Sequence, residues 1–323
     1  MKKKLLLAAL LCFSTLTACS PGKPKLCATV YPVQYLIKSI GGEYVESCNI
    51  TENKVIQRAS IKTNFSKLLK DADALFYIGG LEPYMDIYQE DISSSNTDLI
   101  DLSARSAIYK FQRYFTTYAS DQTAVVEGSY YDGDIFKSID QYANDPMIWM
   151  DPIAMTSMGS SIRDYLVKEY PEYKKVFNEN FESLQISLAR LDSEYQDLKA
   201  VHSDIKIVTM TPSFGYWQKS YGINVYPVIL SRYGALPSNA QLAIIKQRII
   251  DDGVRYIVYE DNMTNDMKKL YNTLKNELGL ITIDLSNISS LSAEDKKANK
   301  NYLSIMYENL KVLTSGSTSV KAF

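Results

Sequence analysis

Short apolar runs rich in β-branched and aromatic residues recur along the chain, and segments of helical periodicity follow most of them. The strand-like runs occupy residues 26–31, 74–78, 98–102, 147–150, 205–210, 225–229, 255–259 and 280–285. The helix-like segments occupy residues 33–41, 64–72, 237–251, 264–278 and 294–313. Because strands that alternate with helices build parallel sheets, the pattern predicts an α/β fold with helices flanking the sheets.

The longest helical signal runs over residues 171–201. Its apolar residues step by four and three along one face, at Phe177, Phe181, Leu184, Leu188, Leu191, Tyr195 and Leu198. At 1.5 Å per residue such a helix spans about 45 Å, more than one small lobe needs. A coiled-coil dimer is the alternative, but its seam usually needs at least about three to four heptads with charged flanks. We therefore expect a monomer in which one rigid helix joins an N-terminal lobe (26–170) to a C-terminal lobe (202–323).

The N-terminus has the pattern of an export signal. Lys2 to Lys4 precede an apolar run at 5–13 and the string Leu-Thr-Ala-Cys at 16–19, in the order of a basic region, an apolar region and a cleavage site. The run is too short to cross about 30 Å of hydrocarbon. We predict a signal peptide at 1–18 and a tether at 19–25. The final string resembles the lipobox of bacterial lipoproteins, in which Cys19 is lipidated after cleavage; a secretory signal with an incidental cysteine is the alternative.

The net charge and the cysteines indicate what kinds of partner and covalent bond to expect. Removing the signal takes the formal charge from -2 to -5, because three lysines and no acidic residue leave with it. A chain without basic excess is not expected to bind nucleic acid. Once Cys12 leaves with the signal and Cys19 carries lipid, Cys27 and Cys48 remain, both in strand-like runs. A disulfide between them suits an exported protein, and two buried free thiols suit the same positions equally well.

The loops that follow strands are the expected binding positions, because ligands in open parallel sheets bind outside the carboxyl ends of the strands. Two lobes joined by one helix would face each other across a cleft lined by such loops. The four loops to inspect begin near Ile50, Asn144, Met210 and Asp284.

Five segments in this order resemble the metal-binding receptors of zinc and manganese ABC importers: ATVYPVQYLIKSIGGEYVE, DADALFYIGGLEPYMD, NDPMIWMDP, VTMTPSFGYWQKSYG and LPSNAQLAIIKQRIIDDGVRYIVYEDN. The resemblance covers nearly all of the mature chain. It implies two lobes joined by a long rigid helix, a cleft ligand, a membrane permease as partner and a lipid anchor on the outer face of the cytoplasmic membrane. It also implies a divalent metal ion as transported ligand; no other cofactor is expected.

The family holds its metal with histidines and carboxylates from the four loops, but this chain contains one histidine, His202, which lies outside them. The matching positions are Gln57, to within a residue or so, Met147, Thr211 and Asp284. Only Asp284 keeps a family ligand type. An amide, a thioether, a hydroxyl and one carboxylate together suit no common metal well.

Three functions follow from these observations. The first is a substrate-binding lipoprotein of an ABC importer, with metal as the cargo that the resemblance implies. The second is the same fold with a small organic solute as ligand. The third is a surface adhesin or accessory lipoprotein, whose contact surface would be the tyrosine-rich segment 109–144.

An enzyme is not expected, because no Ser-His or Cys-His pair suggests itself. Glu260 and Asp261 follow a strand, and we interpret them as groups that order loops. The tyrosines, 25 in all, are expected to be core residues, although Tyr31, Tyr216 and Tyr233 would suit a cleft that stacks an organic ligand.

Overall fold

The computed structural model describes residues 22–52, 55–119, 122–201 and 204–318. Its strands are β1 (Lys25–Ala28), β2 (Glu46–Asn49), β3 (Ala74–Tyr77), β4 (Asp98–Asp101), β5 (Arg113–Ala119), β6 (Gln122–Gly128), β7 (Lys206–Thr209), β8 (Asn224–Pro227), β9 (Tyr256–Tyr259) and β10 (Ile281–Asp284). Two parallel sheets have the orders β2-β1-β3-β4 and β10-β9-β7-β8, and β5 pairs with β6 in an antiparallel ribbon. The predicted α/β class with parallel sheets is confirmed.

Helices cover the sheets. They are α1 (Tyr31–Gly41), α2 (Phe65–Lys70), α3 (Pro83–Ile87), α4 (Gln89–Ser93), α5 (Pro152–Glu169), α6 (Lys174–Val201), α7 (Tyr216–Tyr221), α8 (Asn239–Asp251), α9 (Asn265–Leu278), α10 (Ala293–Lys297) and α11 (Tyr302–Thr318). Below, the N-terminal lobe means the sheet β2-β1-β3-β4 with its helices, and the C-terminal lobe means the sheet β10-β9-β7-β8 with its helices.

The long helix α6 follows a 3₁₀ turn at Pro171–Tyr173 and extends over 28 residues, or about 42 Å. All seven apolar residues of the predicted stripe are buried. The helix packs against α1 and α5 on one side of the molecule and against α7 and α11 on the other. The apolar stripe is therefore buried by helices of both lobes of the same chain.

Local sequence signals fix several helix boundaries. Helix α5 begins at Pro152, and the Asp151 carboxylate caps it by accepting hydrogen bonds from the N–H groups of Ile153 (2.8 Å) and Ala154 (3.1 Å). Helix α8 begins with a capping box in which Ser238 and Gln241 each bond to the other's backbone N–H.

Two predicted elements were wrong. Residues 147–150 form no strand but enter a 3₁₀ turn at Ile148–Met150, whose side chains are fully buried between α5 and the neighbouring elements. A four-residue apolar run does not by itself distinguish a strand from a buried turn. The predicted helix 294–313 is two helices, because the chain between α10 and α11 turns at Asn299, which has a φ of 53°.

The segment 109–144 precedes α6 in sequence but packs against the C-terminal lobe. Arg113 forms an ion pair with Asp252 (3.0 Å), and the Tyr131 hydroxyl donates to the carbonyl of Pro227 (3.0 Å). The tyrosines at 114, 130, 131 and 142 are buried. They serve as core, as expected for tyrosines in this chain, and are not available as an adhesive surface.

Cys27 and Cys48 face each other in register on β1 and β2 and form a disulfide. Of the two arrangements left open by the sequence, the structure has the bonded one. Among the described residues, no helix combines the length and the apolar character that crossing a membrane requires.

Candidate functional site

The two lobes meet where their parallel strands end. The N–H of Tyr31, just after β1, donates to the carbonyl of Ser289 in the loop after β10 (3.3 Å). The Tyr142 hydroxyl lies between the carbonyls of Leu81 (3.3 Å) and Arg232 (3.4 Å), one from each lobe. We call this contact region the interlobe seam. It lies where open parallel sheets bind their ligands.

Two tryptophans, one on each side, form hydrogen bonds across the seam. Trp149, in the turn before α5, donates through Nε1 to the carbonyl of Asn287 (2.9 Å). Trp217, on α7, donates through Nε1 to the carbonyl of Met150 (3.0 Å). Both side chains are fully buried, so solvent does not enter the seam around these two residues.

Gln57 lies in a 3₁₀ turn (Ile56–Arg58) of the N-terminal lobe, beside the seam. Its side chain is buried, and neither its amide nitrogen nor its amide oxygen has a hydrogen-bond partner among the described residues. The C-terminal lobe covers it at Gly234, where an added Cβ would lie 3.3 Å from the Cβ of Gln57.

Arg58, the next residue, joins the lobes directly. Its guanidinium donates to the carbonyl of Gly234 through Nε (3.0 Å) and Nη2 (2.6 Å), and to Asp266 Oδ2 through Nη1 (2.7 Å). The lobes are thus tied together beside a position at which the family would place a metal ligand.

Met147 is fully buried, and its N–H donates to Asp145 Oδ1 (2.9 Å). Asp145 is itself buried, and burial raises the pKa of its carboxyl to about 7 against the opposing hydrogen bond from Met147. The backbone carbonyl of Asp145 accepts from the Tyr216 hydroxyl (3.2 Å). Tyr216 is buried and stacks on Tyr109, so it is a packing residue here.

Thr211 belongs to a hydrogen-bond network centred on Glu260. The fully buried Glu260 carboxyl accepts from the N–H groups of Met210 (3.1 Å) and Thr211 (2.9 Å), from the Thr211 hydroxyl (2.5 Å) and from Asn287 Nδ2 (2.8 Å). Burial raises the pKa of Glu260, and these hydrogen bonds act in the opposite direction. Glu260 therefore orders the loops after β7, β9 and β10, the role interpreted from the sequence.

Asp284 is placed differently from the other three positions. It is exposed at the end of β10, the outermost strand of its sheet. No hydrogen bond or ion pair joins it to Gln57, Met147 or Thr211 in the part of the chain that the structure describes. Its loop instead reaches the seam through Asn287 and Ser289, both buried and hydrogen-bonded to Asn262.

Glu82 is the functional candidate that sequence reasoning missed. It is buried, its Oε1 accepts a hydrogen bond from the Thr29 hydroxyl, and its Oε2 has no partner among the described residues. Burial raises the pKa of its carboxyl to about 8, the Thr29 hydrogen bond opposes this, and the charge of Asp101 adds to it. The signal available in the sequence was an acidic residue shortly after β3, at a strand end.

The described residues contain no group of three histidine, cysteine, aspartate or glutamate side chains that would hold a metal ion. His202 and Cys19 lie outside the described residues. The amide of Gln57, the thioether of Met147 and the hydroxyl of Thr211 do not fit zinc, which is held in proteins by imidazole, thiolate and carboxylate. The donor set at the seam therefore does not match the zinc chemistry implied by the family resemblance.

Known proteins resemble this chain in sequence and, separately, in fold. The zinc-binding lipoprotein AdcA of Streptococcus pneumoniae is 27% identical over 321 residues, which cover 97% of this chain and 60% of that relative. The chain thus spans about 60% of the length of the relative. Two solved structures show the same fold, each with 90% or more of this chain covered. The Zn(II)-bound ZnuA-like domain of S. pneumoniae AdcA has a TM-score of 0.67, 24% identity and 99% coverage of that domain. The laminin-binding protein Lmb of Streptococcus agalactiae has a TM-score of 0.70, 18% identity and 98% coverage.

The family assignment rests on the sequence model of a single family. The model described as ZnuA, zinc-uptake complex component A, periplasmic, matches residues 26–316. Apart from Lys25, the first residue of β1, this span includes both parallel sheets, α6 and every residue of the seam described above. The chain therefore belongs to the ZnuA family of periplasmic zinc-uptake components.

Proposed function

We propose that the chain is the extracytoplasmic substrate-binding component of an ABC importer, acting as a monomer and held on the outer face of the cytoplasmic membrane by a lipid on Cys19. The observation that carries the proposal is the family match over residues 26–316, which includes both lobes and the helix between them. In this role the protein receives a cargo at the interlobe seam and delivers it to a membrane permease.

The long helix limits how the lobes move during delivery. Because α6 packs against helices of both lobes, it favours small tilting of the lobes and loop rearrangement over wide hinge opening. Small-angle scattering of the mature protein should show little compaction when cargo is added. A large compaction would contradict this part of the proposal.

The identity of the cargo is a separate question from the receptor role. Zinc is the cargo that the family implies, yet the acidic group nearest to Thr211, Glu260, already accepts four hydrogen bonds. Withdrawing it to bind a metal would leave the donors of Met210, Thr211 and Asn287 unsatisfied in the interior, at a cost of about 1–3 kcal/mol each.

We further propose that the chain has no catalytic activity. The Thr211 and Ser213 hydroxyls lie 2.7 Å apart and would be the candidate nucleophiles. The carboxyl beside them, Glu260, is saturated with hydrogen bonds, so it is not positioned as a free general base.

The receptor role is tested with the lipidated mature protein and its permease reconstituted together in liposomes. The expected result is that the protein stimulates ATP hydrolysis by the permease, and absence of stimulation would overturn the proposal. In parallel, elemental analysis of protein purified without chelators, followed by titration with zinc, manganese and copper(I), establishes whether a metal is the cargo. Stoichiometric zinc would support zinc as the cargo, and absence of metal would support a small organic solute.

A further inference from the structure

A cavity of about 130 Å³ lies between the lobes, separate from Gln57, Met147 and Thr211. The N-terminal lobe lines it with Glu82, with Asp86 and with the chain around Gly80, and the C-terminal lobe contributes Arg232. A water molecule occupies about 30 Å³ in the liquid. The cavity therefore has room for about four waters, or for an organic molecule of about five heavy atoms.

Glu82 gives the cavity a buried group with unused bonding capacity. Its side chain is 4% exposed, and its Oε2 has no partner among the described residues, whereas Oε1 is held by the Thr29 hydroxyl. A buried carboxyl oxygen without a partner costs free energy, which a ligand donor would recover. Because burial raises the pKa of Glu82 to about 8, its carboxyl carries a proton at neutral pH. An ammonium group is the donor that best matches a carboxylate, so a ligand ammonium binds Glu82 with release of that proton.

Arg232 supplies the opposite charge. Asp140 holds it, because Arg232 Nε lies 3.1 Å from Asp140 Oδ1 and the backbone N–H of Arg232 donates to the carbonyl of Asp140 (2.9 Å). Its Nη2 donates to the Tyr233 hydroxyl (2.6 Å). The side chain is 31% exposed, so the guanidinium is fixed at the cavity without being sealed from an entering ligand.

Either simple ion would meet a group of like charge at the cavity. A lone anion would face Glu82 and Asp86, and a lone cation would face Arg232. A molecule that carries an ammonium and a carboxylate close together can pair with both sides of the cavity. The guanidinium of Arg232 binds a carboxylate in a planar fork, and Glu82 accepts a hydrogen bond from the ammonium.

We propose that this cavity binds a small zwitterionic amino acid, with its ammonium group on Glu82 and its carboxylate on Arg232. The ligand joins one group from each lobe and therefore favours the closed seam. As the cargo of the receptor this assignment rests on the proposed function, whereas as a binding site it stands on the cavity alone.

The experiment is calorimetric titration of the mature protein with glycine and alanine, beside ethylamine and acetate, which each carry one of the two charges. We expect glycine or alanine to bind, and each single-charge probe to bind at least about tenfold more weakly. Phenylalanine should not bind, because its ring exceeds the cavity. No binding of glycine or alanine at millimolar concentration would overturn the proposal, as would equal binding of ethylamine.

Two variants locate the site. Glu82→Gln and Arg232→Gln should each weaken amino acid binding at least about tenfold, whereas the exposed controls Glu90→Gln and Arg105→Gln should bind as the parent does. In Glu82→Gln the new amide oxygen can still accept from Thr29, and thermal unfolding of each variant verifies the fold. Binding that survives both cavity variants would place the ligand elsewhere and refute the assignment.

The permease assay separates this proposal from the receptor role. If the protein stimulates the permease but binds no amino acid, the receptor role stands and the cavity assignment falls. If the protein binds amino acids through Glu82 and Arg232 but never stimulates a permease, the cavity assignment stands and the receptor role falls.

Discussion

Replacing Arg58 with alanine should weaken the contact between the lobes more than the loss of any exposed arginine. The guanidinium makes three hydrogen bonds across the seam, two to the carbonyl of Gly234 and one to Asp266. Alanine removes all three and leaves the Gly234 carbonyl without its donors. The lobes would remain joined by α6, so the expected effect is a looser seam and a less stable molecule, not a different fold.

The expected loss of stability in Arg58→Ala depends on how far solvent reaches the bonds that Arg58 makes. Hydrogen bonds from charged donors contribute about 1.5–3 kcal/mol, and the fork on Gly234 counts as one such interaction. The ion pair between Arg58 and Asp266 joins side chains that are 31% and 43% exposed, so solvent screening limits it to less than about 1 kcal/mol. We expect Arg58→Ala to lower the free energy of unfolding by about 2–3 kcal/mol.

The assay is urea unfolding followed by circular dichroism, with small-angle scattering of the native state. Arg105→Ala is the matched control, because Arg105 also pairs with one aspartate, Asp164, at 3.4 Å, with side chains 69% and 48% exposed. Its removal should cost less than about 0.5 kcal/mol. If the two variants lost equal stability, or if Arg58→Ala left both stability and the radius of gyration unchanged, the tie between the lobes would be refuted.

Three further outcomes are expected. Gly234→Ala should destabilise more than Gly253→Ala by about 1–2 kcal/mol in urea. Both glycines have positive φ, but only at Gly234 does an added Cβ approach Arg58 Cγ at 2.9 Å; equal losses would contradict this. Because burial raises the pKa of Glu82 from 4.5 to about 8, the folded chain keeps a proton there that the unfolded chain loses, so stability should fall as pH rises between these values. Glu82→Gln should equal the parent near pH 5 and exceed it by about 1–3 kcal/mol near pH 8, and identical pH profiles would refute the cause. Cys19→Ala should release the folded protein from membranes, and a variant that stayed bound in cell fractionation would show that the lipobox interpretation is wrong.

The fold could be predicted from the sequence where a periodic pattern of apolar residues extends over many residues. The seven-residue stripe of α6 predicted both the helix and its buried face, because each turn repeats the same constraint. The run at 147–150 was too short to carry a period, and its burial comes from neighbours distant in sequence. The break between α10 and α11 depends on the left-handed conformation of Asn299, which the helical pattern does not reveal.

The candidate site was harder to predict from the sequence than the fold. The Glu260 network joins residues that are 27 or more positions apart, so no local pattern could show that the carboxyl is saturated. The approach of Gly234 to Gln57 and Arg58 likewise depends on how two lobes meet. Gln57, Met147 and Thr211 are buried, whereas Asp284 is exposed and Asn287 and Ser289, a few positions later, are buried. The role of the four matched positions in binding a ligand stays a prediction, because a motif match does not report burial.

The two tryptophans at the seam give the protein a built-in optical probe. The chain contains only Trp149 and Trp217, and each indole N–H bonds to a carbonyl beyond its own element, Trp149 to Asn287 and Trp217 to Met150. Indole emission shifts to longer wavelength when the ring meets water, so any separation of the lobes that wets these rings would register as a red shift. Any separation of the lobes can therefore be timed in unlabelled protein, by stopped-flow fluorescence, without a dye or an engineered cysteine that would compete with the Cys27–Cys48 disulfide.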